Sequence, residues 1–117
     1  MNERIHYVCY DIWPNPFVVV QSRDGSAEAI NYGFISRMTF SRDRGITLTH
    51  GRHRLIVKGQ RLFELFTALA AGNVAAIRAV DPERVKVPDN DVLVTSARRI
   101  KVPLEQQYDI GDQPPSP

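Results

Sequence analysis

Residues 31–72 read NYGFISRMTFSRDRGITLTHGRHRLIVKGQRLFELFTALAAG, and the change of period inside this stretch decides the expected fold. Up to Lys58 the pattern has period two, as in strands whose side chains alternate between faces. The first run is expected over 31–40, with Phe34, Ser36, Met38 and Phe40 facing a core and Ile35, Arg37 and Thr39 facing away. Ser41-Arg-Asp-Arg-Gly45 reads as a hairpin loop in which Gly45 takes a positive φ. Ile46 and Leu48 then return inward, with Thr47 and Thr49 outward. After the tight connection His50-Gly-Arg52, Leu55 and Val57 point opposite to Arg54, Ile56 and Lys58. Three successive strands make an antiparallel meander over about 31–58.

Past Gly59 the period changes. Leu62, Leu65, Phe66 and Leu69 recur at i, i+3, i+4 and i+7, the stripe of an amphipathic helix. Gly72 suits its end, and Asn73 is expected to cap a second short helix carrying Val74, Ile77 and Val80, so that about 60–80 forms one bent helical segment. The fold class is therefore α+β, an antiparallel sheet packed on that segment.

Outward from this centre, residues 5–12 read as one strand that Trp13-Pro-Asn-Pro16 breaks, and Phe17 to Gln21 as a second. Residues 81–91 read as loop, and the chain from Val92 to Thr95 and from Arg99 to Val102 as further C-terminal strand. A single globular domain over 1–103 is expected, followed over 104–117 by a flexible, acidic, proline-rich tail.

Length and composition agree with one folded core. The chain has 117 residues, 43% hydrophobic and 24% charged, which places it with soluble globular domains and away from disordered or collagen-like chains. The apolar stretch 62–80 is interrupted by Glu64, Asn73 and Arg78 and fails as a membrane span, and residues 1–6 have no apolar core of a signal peptide. A cytoplasmic location and no membrane association are expected, and the lone Cys9 fits a reducing compartment.

Charge is unevenly placed. Arg37, Arg42, Arg44, Arg52, Arg54, Lys58 and Arg61 stand against Asp43 alone, a net +6 in a chain whose total is +2. The alternation puts Arg37, Arg54 and Lys58 on the solvent face among threonines, with Arg42, Arg44 and Arg52 at hairpin tips. These seven are the candidate anion-binding residues, for phosphate or nucleic acid. The competing reading is a solvated sheet face whose cations discourage strand pairing. Stacking aromatics, which RNA-binding sheets display, are not expected on this face, because Phe34 and Phe40 are assigned to the core.

His6-Tyr-Val-Cys9 and His50-Gly-Arg-His53 form two pairs at ligand-like spacing, enough for a zinc site of one thiolate and three imidazoles. The first pair converges only if a turn or bulge intervenes, whereas His50 and His53 straddle a glycine turn and are the candidate metal ligands. Signatures of hydrolases, nucleotide-binding loops and zinc proteases are absent. An acid–base pair of His50 or His53 with Asp43 is the only enzyme-like arrangement that suggests itself. No cofactor is implied. The expected function is a non-enzymatic binding or protein-interaction module, with self-association as one outcome. The alternatives are an anion or nucleic-acid binder and a small metal-binding protein.

Overall fold

The computed structural model describes residues 3–103, so the expected tail at 104–117 lies outside the described residues. The fold is α+β, two mainly antiparallel sheets and one helix sharing a single apolar core. The first sheet contains β1 (Ile5–His6), β2 (Tyr10–Ile12), β3 (Phe17–Gln21), β4 (Ala27–Asn31) and β8 (Val74–Arg78), in the order β1-β2-β8-β3-β4. The second contains β5 (Arg37–Ser41), β6 (Gly45–His50), β7 (His53–Gln60) and β9 (Leu93–Lys101), in the order β5-β6-β7-β9. Helix α1 (Leu62–Ala70) joins them at the core, with Leu62, Leu65 and Leu69 buried as their spacing requires.

The meander forms in the expected register. Met38 lies opposite Leu48, and Leu48 opposite Leu55, while Phe40, Ile46 and Val57 make the next inward row. Ile46, Leu48 and Val57 are fully buried. Gly45 turns the β5–β6 hairpin at φ +79, and a Cβ there would lie 2.1 Å from the Val57 carbonyl oxygen. Both the conformation and the close approach demand glycine. Strand β9 adds to β7 as the expected C-terminal strand, in one continuous run.

Three local expectations are corrected. The run 31–40 is not one strand: residues 32–34 form a turn of 3-10 helix, because the Asn31 side chain accepts a hydrogen bond from the Gly33 N–H (2.8 Å) and diverts the backbone. Tyr32 is anchored there, its hydroxyl donating to the Val74 carbonyl (2.7 Å) and accepting from the Val74 N–H (3.1 Å). Burial pushes this phenol up to about 12. The diversion carries the chain from one sheet to the other and leaves Phe34 74% exposed, outside the core.

Second, no helix follows Gly72. Residues 74–78 are β8, parallel to β3 and antiparallel to β2. Val74, Ala75 and Ile77 are buried, while Ala76 and Arg78, beside Val19 and Gln21 of β3, keep partial exposure on the outer face. The strand is short and, with Val74 and Ala76 at the alternate positions, only Arg78 is polar, so five residues do not distinguish strand from helix by period. The helical segment is therefore α1 alone. Third, residues 5–12 are two short strands folded into a hairpin, closed by the Tyr7 N–H donating to the Tyr10 carbonyl (2.8 Å).

Candidate anion-binding face

Opposite its core side, the second sheet presents three cross-strand rows. Arg37, Thr49, Arg54 and Ile100 make the first, and Thr39, Thr47, Ile56 and Arg98 the second. The third pairs Ser41 with Gly45 and Lys58 with Ser96. None of the four strands contains an aspartate or glutamate. Neighbouring strands lie about 4.8 Å apart and residues about 3.4 Å apart along each, so Arg37, Arg54, Lys58 and Arg98 fall within an area of about 14 Å by 14 Å. At a Debye length of about 8 Å only the nearest of them, on β7 and β9, act on one another appreciably. The cost is small, about 0.4 kcal/mol per pair at 10 Å in water, because the face stays wet.

Shallow hollows continue this face over edge strand β5. One of about 280 Å³ is lined by Arg37, Arg44 and Arg54 with the hydroxyls of Thr39, Thr47 and Thr49. A second, about 270 Å³, lies between Arg42 and Lys58 across Gly45 and Gly59, with Asp43 also in its lining. A third, about 540 Å³, is lined by Phe40, Arg42, Arg61, Leu62 and Phe63. The first and third share Phe40 and Ser41, and the second and third share Arg42 and Gly59.

Six of the seven sequence-selected cations thus line one connected surface. Arg52 does not, because it sits at the β6–β7 turn, the opposite end of the sheet from Arg42 and Arg44. Arg98, which the segment 37–61 could not include, joins the face through the pairing of β9 with β7.

Local backbone geometry shapes the rim. Arg61, the residue before α1, is the one non-glycine at positive φ among the described residues (+57). That conformation costs about 1 kcal/mol, and the Arg61 side chain secures it by donating from Nε to the Asp91 carbonyl. Gly59 sits at the irregularity in the β7–β9 ladder, where an added Cβ would lie 1.8 Å from the Leu93 carbonyl oxygen. Phe40 is only half-buried and packs edge-on against Phe63 (centroids 5.6 Å apart). Phe63 itself is 59% exposed, so an aromatic ring borders the cations at the strand edge, while Phe40 keeps its expected core-side position and the outer rows carry no aromatic.

The histidine sites are placed elsewhere. His50 and His53 are a cross-strand pair at the β6–β7 turn, rings stacked with centroids 5.6 Å apart, on the core side of the sheet. His50 Nε2 and His53 Nδ1 are buried and find no hydrogen-bond partner among the described residues. Burial lowers the His50 pKa, His53 and Arg99 add to that, and Glu28 opposes them. The four-ligand zinc arrangement does not form: among the described residues no three His, Cys, Asp or Glu side chains are grouped to hold a metal. Cys9 is buried, accepting from the Val94 N–H through Sγ (3.3 Å), and burial pushes its thiol up. His6 turns to Asp11 (3.1 Å). Asp43 and the His50–His53 pair lie at opposite ends of β6, about 17 Å apart along the strand, so they do not form an acid–base couple.

A charged cluster that sequence reading missed lies in the first sheet. Asp11, 3% exposed, accepts from Arg78 (2.8 Å), Arg4 (3.0 Å) and His6 (3.1 Å). Arg78 also donates to the carbonyls of Tyr7 and Val8. This knot closes the β1–β2 turn onto β8 and is fully occupied within the fold. Asp11 and Arg78 are 67 residues apart, and no local pattern announces their pairing.

No helix among the described residues is long and apolar enough to cross a membrane. No family model, curated protein or solved structure matches the chain.

Proposed function

We propose that this protein is a non-enzymatic binding module that holds a phosphate-bearing polyanion on the outer face of the β5-β6-β7-β9 sheet. The observation that carries this reading is the composition of that face: Arg37, Arg54, Lys58 and Arg98 interleaved with serine and threonine hydroxyls, on four strands without a carboxylate. Guanidinium groups offer forked donors to phosphate oxygens, and hydroxyls donate beside them. A solvated sheet face with no ligand would ordinarily mix both signs of charge.

Binding of heparin or a fluorescent oligonucleotide at 50 and 200 mM NaCl tests the reading. Affinity should fall steeply between the two concentrations as condensed counterions are released. Absence of binding at 50 mM contradicts it.

Self-association has a separate observation in its favour. Phe17 and Val19 are exposed on the outer face of the first sheet, and Val19 pairs with Ala29 of edge strand β4. Light scattering across a hundredfold range of protein concentration tests it, and a constant monomer mass contradicts it.

A further inference from the structure

Resting on the polyanion reading above, we infer that the ligand is single-stranded nucleic acid, with phosphates on the outer face and a base stacked in the hollow formed by Phe40, Phe63, Arg42 and Arg61. Phe63 is the side chain that points to a base. On α1 the inward positions are taken by Leu62, Leu65 and Leu69, and Phe63 points off that stripe, 59% exposed. It is held by an edge-on contact with Phe40 and a tilted contact with Phe66 (centroids 6.2 Å apart) rather than by burial. A fixed, exposed ring beside two guanidinium groups suits a flat, electron-rich partner carrying negative charge, which a nucleotide is. Heparin-like chains and simple phosphate use the cations but have no flat ring to place on Phe63.

The route between the two surfaces selects the strandedness. The phosphate-binding rows lie on one side of the second sheet, whereas Phe40 belongs to its core-side row. The hollows that join them cross edge strand β5 at Phe40 and Ser41 and pass Arg42. A bound chain must therefore turn around a strand edge within a few nucleotides. Duplex DNA, stiff over about 150 base pairs, cannot make that turn or present an unpaired base face, while a single strand can do both.

The test compares three probes by fluorescence anisotropy at 50 mM NaCl: a labelled 12-nucleotide oligothymidine, a labelled 12-base-pair duplex and labelled heparin. The proteins are the unmodified chain, Phe63→Leu and Arg42→Gln. The unmodified chain should bind oligothymidine more tightly than duplex. Phe63→Leu should weaken oligothymidine about 10-fold, the effect of losing one stacked base, and leave heparin binding unchanged, which also shows the variant to be folded. Arg42→Gln should weaken oligothymidine more than heparin. Equal or tighter duplex binding, or Phe63→Leu binding oligothymidine like the unmodified chain, overturns the stacking inference while heparin binding leaves the basic face standing. Failure of every probe to bind overturns both.

Discussion

Removing the Asp11 carboxylate tests the reading of the first sheet, because one buried group there holds two guanidinium groups and an imidazole. In Asp11→Ala the bond to Arg78 is the largest loss: at 2.8 Å, with Arg78 only 31% exposed, a charge-assisted hydrogen bond of this kind contributes about 1.5–3 kcal/mol. Arg4 and His6 are 44% and 66% exposed, so their arms add at most about 1 kcal/mol together after solvent screening. The expected loss is about 3 kcal/mol at pH 7, read from urea denaturation as a lower midpoint.

The pH dependence supplies a second constraint. Hydrogen bonds from Arg78, then Arg4 and His6, outweigh desolvation and hold the Asp11 carboxyl well below its ordinary 3.8. The unfolded chain therefore binds this proton first as pH falls. The contribution is complete above about pH 5 and is lost progressively as pH drops through 3.8 towards the folded value. The gap between the unmodified protein and Asp11→Ala should narrow at pH 3. A loss under about 1 kcal/mol at pH 7, or a gap equally large at pH 3, refutes the reasoning.

Two further outcomes follow from the fold. Phe34→Ala should change stability by less than about 0.5 kcal/mol, since Phe34 is largely exposed, whereas Leu48→Ala should cost about 2–5 kcal/mol by opening a cavity between the sheets; thermal or urea unfolding separates them. Gly59→Ala should cost about 1–3 kcal/mol or more, because the added Cβ meets the Leu93 carbonyl and must push β7 from β9, and hydrogen exchange should show the loss concentrated on that pair.

Legibility in the sequence followed the range of the contacts. The meander was readable because each strand pairs with its neighbour through a short turn, so that alternation at 37–41, 45–49 and 54–58 reports a single solvent face. The α1 stripe was readable for a similar reason, being a local period against one core. Strand β8 was hidden by its composition: Val74 and Ala76 fill alternate positions that a polar side chain would mark, leaving Arg78 alone to signal the outer face. Phe34 was misplaced because one side chain, Asn31, turns the backbone, and hydrophobicity alone does not register that.

The candidate site divides along the same line. Arg37, Arg54 and Lys58 share a face by local alternation. Arg98 reaches it only through a pairing with Ile56, far earlier in the chain, and Phe63 matters only because α1 lies against the β5–β6 hairpin. Asp11 and Arg78 likewise meet through the order of strands, which no short segment specifies.

The most direct test of the binding face is the salt dependence of oligothymidine affinity for the unmodified protein and for the double variant Arg54→Gln, Arg98→Gln, measured from 50 to 200 mM NaCl. If both side chains neutralise phosphates, log affinity against log salt should flatten by roughly 1.4, about 0.7 for each phosphate no longer neutralised on a single strand, with weaker binding at every concentration. An unchanged slope with unchanged affinity would place the ligand elsewhere and contradict the proposal.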